Sequence, residues 1–157
     1  MISVITLTRS TVAAEQVVVA AGAATVRLLP EVPVLEIPEI LRRSEMVLFA
    51  VPDDVLPELV AGLAAAGHVQ TGHLVVHTSG RHGVGALNPV RAHGAIPIAL
   101  HPAMTFTGSD EDITRLSETC FGITAADDIG YAIAQSLVLE IGGEPFRVRE
   151  DARTLYH

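Results

Sequence analysis

Residues 46–60 read MVLFAVPDDVLPELV, and this stretch decides the fold. Met46 to Val51 is apolar at every position rather than at alternate ones. A strand with one wet face alternates, whereas an unbroken apolar run of this length marks a strand covered on both faces. Pro52 ends the run, since it cannot donate to a sheet ladder. Asp53 and Asp54 then open a helix. Its apolar residues Val55, Leu56, Leu59, Val60 and Leu63 fall at helical spacing and share one face. A strand, a tight turn and a helix in that order form the repeating unit of a parallel sheet.

The alternation continues outward from this unit. Upstream, Ile2 to Leu7 reads as a first strand and Thr11 to Ala21 as a helix stopped by Gly22. Thr25 to Leu29 fits either a short strand or that helix continued, and Pro38 starts a short helix reaching Arg43. Downstream, Leu74 to His77 is a strand and Gly83 to Arg91 a short helix. Ala95 to Leu100 is a strand whose internal Pro97 suggests an edge or an irregular spot. Phe121 to Thr124 is a strand, and Asp127 to Ile141 a helix ended by Gly142-Gly143. Pro145 to Val148 is a last strand, with a further helix opening at Glu150. The pattern specifies an α/β, doubly wound, mostly parallel sheet in one domain over residues 1–157.

Composition narrows the function classes. Hydrophobic residues make up 49% of the chain and aromatics 4%, so the core rests on Val, Leu, Ile and Ala. A formal net charge of -8 repels phosphate backbones and argues against nucleic acid as a partner. Cys120 is the one cysteine, which excludes an intrachain disulfide and a Cys-based zinc site. It is expected to be a buried, inert thiol. The longest apolar stretch, Val17 to Ala24, is too short to span a membrane, and a cytoplasmic protein is expected.

Parallel sheets bind ligands at the carboxyl ends of their strands, so the residues after each strand are the candidates. Thr8, Arg9 and Ser10 follow the first strand: Arg9 suits the extra phosphate of NADP, or is a solvated turn residue with Ser10 as a helix cap. Val51, Pro52 and Asp53 follow the central strand, either beside a cofactor or simply opening the next helix. His77, Thr78, Ser79 and Gly80 to Gly85 form a polar, glycine-bearing loop suited to lining a site, though it is not a phosphate-binding motif. His101 ends the strand containing Pro97, as a proton-exchanging group or a structural cap. His77, His82 and His101 match no metal signature, and no metal is expected.

The segments LLPEVPVLE, MVLFAVPDDVLPELV, LVVHTSGRHGVGAL, PIALHPAMTF and GGEPFRVREDARTLYH carry a resemblance over most of the chain. It resembles a family of Rossmann-like oxidoreductases with a C-terminal helical domain of unknown function, similar in layout to pyrroline carboxylate reductases and prephenate dehydrogenases. The resemblance implies NADP as cofactor and hydride transfer to or from a small-molecule substrate. It implies that His101 polarises the substrate, that Ser79 bonds substrate or nicotinamide, and that Thr8, Arg9 and Ser10 meet the adenosine phosphate. It also implies a homodimer. Members begin with a strand and a glycine-rich turn, which have no counterpart here, and continue into the helical domain. The chain is thus expected to be truncated at both ends relative to the family and to bind NADP weakly or not at all alone. Two alternatives stand beside this: a non-catalytic interaction module or inactive relative, and a ketopantoate-type reductase.

Overall fold

The computed structural model describes residues 4–7, 18–19, 37–107 and 109–157. Among them, seven strands form one sheet: β1 (Val4–Leu7), β2 (Val18–Val19), β3 (Met46–Phe49), β4 (Leu74–His77), β5 (Ile96–Pro102), β6 (Cys120–Ala125) and β7 (Glu144–Arg147). Their spatial order is β2-β1-β3-β4-β5-β6-β7. From β3 to β7 every pairing is parallel except β5 with β6. The mostly parallel α/β sheet expected from MVLFAV and its neighbours is therefore present.

The central strands are apolar throughout because they serve two cores. Val47 and Phe49 of β3 and Val75 of β4 join Leu56, Val60 and Leu63 on one side. Met46, Leu48, Leu74 and Val76 join Ile98, Ile123, Ala134 and Val138 on the other. Successive strand residues point to opposite faces, so an uninterrupted apolar run feeds both layers.

Helices α1 (Ile37–Arg43), α2 (Leu56–Ala65), α3 (Asn88–Arg91), α4 (Glu111–Leu116), α5 (Asp128–Ile141) and α6 (Arg153–Tyr156) complete the described elements, with short 3-10 turns at Val84–Leu87 and Glu150–Ala152. The helix α5 has an explicit start and stop. Asp127 Oδ1 accepts the Gly130 N–H at 2.8 Å, and Gly142 leaves the helix at φ +88°.

Two local expectations need correction, and two further details of the sheet are refined. Val18–Val19 is a strand, so Thr11 to Ala21 is not one continuous helix; two adjacent β-branched residues favour extended backbone. β1 runs antiparallel to β3, one of the antiparallel pairings of this mostly parallel sheet. Asp53 and Asp54 do not open α2: Pro57 occupies its first turn and fixes the start at Leu56, with Val55 at the cap position. Of the two readings of Pro97, the edge is excluded because β5 lies between β4 and β6, and the irregular spot fits, because Pro97 stands outside the β6 ladder. It is tolerated because the ladder to β6 begins only at Ile98, while the Ile96 N–H already serves the β4 side by bonding the His73 carbonyl at 2.8 Å.

Candidate functional site at the carboxyl ends of the strands

Because β3, β4 and β5 are parallel, the turn after Phe49, the loop after His77 and residue His101 emerge on one edge of the sheet. Hydrogen bonds then tie these segments together. The Thr78 N–H donates to the Phe49 carbonyl at 3.2 Å. His82 Nε2–H donates to the Asp53 carbonyl at 2.9 Å, linking the two loops. Val51 and Asp53 are half-buried there and Pro52 is exposed.

His77 is fully buried and has a defined tautomer. Its Nδ1 accepts the Ser79 N–H at 3.2 Å, so the proton lies on Nε2, which donates to the Gly83 carbonyl at 3.0 Å. Burial pushes its pKa down to about 4, and the nearby Arg153 and His82 add to this, while the Gly83 carbonyl and Asp53 pull the other way. His77 thus shapes the loop as a neutral ring. Ser79 is buried, and its Oγ accepts the His82 N–H at 3.0 Å.

His101 is half-buried, with Nδ1 2.7 Å from the Tyr156 hydroxyl and the two rings edge to face. Burial lowers its pKa first, then the nearby Arg153 and His157, against Asp53. Its other nitrogen approaches Gly80 so closely that a Cβ there would lie 2.7 Å from Nε2. Gly122, paired with His101 across the β5–β6 ladder, is equally constrained: a Cβ would lie 2.7 Å from the Tyr156 hydroxyl. Past His101, the chain enters an open groove of about 750 Å³ lined by Ala103, Met104, Thr105, Arg115 and Thr119, among others.

Arg153 organises this edge, and sequence reasoning did not single it out. It is 2% exposed and spends all five N–H donors on strands β5 and β6 and the loop after β4. Nε donates to Thr124 Oγ1 at 2.8 Å. One terminal nitrogen donates to the Ser79 and Gly80 carbonyls, both at 3.4 Å. The other donates to Ala99 at 3.3 Å and Gly122 at 3.1 Å. Glu150, three residues earlier, holds the same loop: its carboxylate accepts the N–H groups of Val84 at 2.9 Å and Gly85 at 3.0 Å. Only the segment EDARTLYH as a whole hinted at this, since nothing in its spacing reveals partners on two strands and the loop after β4.

The structure therefore gathers Val51, Pro52, Asp53, His77, Thr78, Ser79 and His101 on one edge, while Thr8, Arg9 and Ser10 lie outside the described residues. Cys120 corrects an expectation: it begins β6 with an exposed side chain near Glu144, because the first residue of that strand precedes the covered part of the sheet. No helix among the described residues is long and apolar enough to cross a membrane.

The chain matches the Rossmann-like domain over residues 4–102 and the Domain of unknown function (DUF2520) over residues 119–157. Comparison with curated proteins gives no match. Among solved structures, the chain is similar to a proposed NADP oxidoreductase from Bacteroides fragilis, with 17% identity and a TM-score of 0.65 over 89% of this chain and 52% of that one. It is also similar to prephenate dehydrogenase from Aquifex aeolicus, with 13% identity and a TM-score of 0.62 over 83% and 49%. A third is pyrroline carboxylate reductase from Plasmodium falciparum with NADP bound, with 11% identity and a TM-score of 0.58 over 78% and 44%. The chain spans about half the length of these proteins, and at such identities the likeness is one of fold.

Proposed function

The chain belongs to the Rossmann-like domain family, and we propose from that premise that it is the nucleotide-binding domain of an NADP-linked oxidoreductase acting on a small molecule. The observation that carries this reading is the convergence of Thr78, Ser79 and His101 at the carboxyl ends of parallel strands β4 and β5.

The described residues suit the nicotinamide end of such a cofactor. Ser79 Oγ accepts one bond, but its own proton has no partner among the described residues. The half-buried Thr78 hydroxyl has none there either. Two unspent hydroxyl donors fit a neutral, polar group such as a carboxamide. The turn of Val51, Pro52 and Asp53 would flank it. A bound nicotinamide would supply or accept the hydride. The protein's part is to orient it with Thr78 and Ser79 and to present His101 to the substrate.

The phosphate end is less well provided. The loop amides of Val84 and Gly85 are taken by Glu150, and the sequence has no glycine-rich phosphate loop. Thr8, Arg9 and Ser10 are proposed to meet the adenosine phosphate. Weak binding by this chain alone is the expected consequence. Calorimetric titration with NADPH and NADH tests the reading. The expected result is weak binding that favours NADPH. Absence of binding both here and in a longer homologue carrying the HTSG and HPAM segments would overturn it.

A further inference from the structure

The oxidoreductase reading gives His101 a role but leaves unexplained why a tyrosine 55 residues away is bonded to it. We infer that Tyr156 is the positioning residue of His101: its hydroxyl donates to Nδ1, which fixes the imidazole proton on Nε2 and aims that N–H past Gly80, and Arg153 holds Tyr156 in place. The inference rests on the oxidoreductase reading for its chemical relevance, while its geometry involves no cofactor.

The direction of the bond follows from the groups present. An imidazole nitrogen is a better acceptor than a phenol oxygen, and a phenol O–H a better donor than a neutral imidazole N–H. Burial raises the Tyr156 pKa, so the phenol keeps its proton at neutral pH. The Arg153 guanidinium carbon lies 5.5 Å from the Tyr156 ring centroid, and this cation strengthens the O–H as a donor.

The placement follows from Arg153. Five bonds to Ser79, Gly80, Ala99, Gly122 and Thr124 fix the backbone of α6 against the strand ends. Tyr156 lies three residues on, within the same helical turn, and so is delivered to the same place. Gly122 leaves room for the hydroxyl and Gly80 leaves room at Nε2. Among the described residues Nε2 has no hydrogen-bond partner. At neutral pH His101 is therefore a hydrogen-bond donor rather than a base. The ligand class it serves carries an acceptor oxygen, as a carbonyl or carboxylate does.

The titratable and charged groups around His101 are Tyr156, Arg153 and His157 from the terminal turn and Asp53 from the turn after β3. Nitrogen-15 NMR of histidine-labelled protein reads both tautomer and pKa directly. In the wild type, His101 should show a single tautomer with Nε2 protonated. Tyr156→Phe should give mixed tautomers at His101, with the remote His73 and His77 unchanged. A wild-type His101 protonated on Nδ1 overturns the inference without any variant. So does a folded Tyr156→Phe protein whose His101 tautomer is unaltered. No nucleotide enters this measurement, so its failure and the failure of the oxidoreductase reading are separable.

Discussion

Arg153 Nε donates to Thr124 Oγ1 at 2.8 Å, placing a guanidinium inside the sheet edge with no ion-pair partner among the described residues. The arrangement is stable because its planar fork is fully hydrogen-bonded. Removing it leaves four buried carbonyls and a hydroxyl short of a donor. Arg153→Met should cost on the order of 3 kcal/mol in urea unfolding. Arg153→Lys keeps the charge but not the fork, and should recover less than half of that loss.

Gly80→Ala tests how tightly the site is packed. The new methyl would meet His157 Cδ2 at 2.6 Å and His101 Nε2 at 2.7 Å. One of these rings must move. We expect shifted His101 ring resonances and a loss of about 1–3 kcal/mol by chemical denaturation. Unchanged resonances in a folded variant would show that the ring does not sit against Gly80.

Stability should fall on acidification. His77 is buried with its pKa pushed down from 6.5 to about 4, so the unfolded chain takes up its proton first. The contribution of neutral His77 is complete above pH 6.5 and is lost as pH falls toward 4. A shift of this size corresponds to roughly 3 kcal/mol over the window. His73 and His101, also shifted down by burial, act in the same direction. Urea midpoints measured between pH 7 and 4.5 check the slope, and a flat profile would contradict it.

The two-sided core makes a further prediction. Leu56 is 1% exposed beneath β3 and β4, whereas Leu139 on α5 is 61% exposed. Leu56→Ala should cost about 2–5 kcal/mol. Leu139→Ala should stay within about 0.5 kcal/mol of the wild type. Thermal and urea unfolding of the two variants distinguish them directly.

The parts of the fold legible in the sequence are those whose cause is local. MVLFAV reads as a central strand because both of its faces are buried, and each residue records this individually. The start of α5 is legible because Asp127 caps its own helix. The strand-end loop and His101 are legible because a parallel sheet dictates where to look. Pro97 leaves an edge and an irregular spot equally open, because the choice depends on where a neighbouring ladder begins, a fact stored near Ala125 rather than beside the proline. Arg153, Tyr156 and Glu150 escape notice for the same reason. Their partners lie on the β4 loop, β5 and β6, and a four-residue helix advertises nothing about what it touches.

The Arg153 fork also sets an order of assembly. Its bonds to Ser79 and Gly80 close loops of 74 and 73 residues, and none can form until β4, β5 and β6 already lie side by side. Closing a loop of that size costs roughly 4 kcal/mol of chain entropy, repaid only once all five acceptors are in register. The edge that carries His101 should therefore be the last part of the molecule to become rigid during folding and the first to loosen under stress. Backbone amides of the Ser79 to Gly85 loop should then exchange with deuterium well before those in the middle of β4.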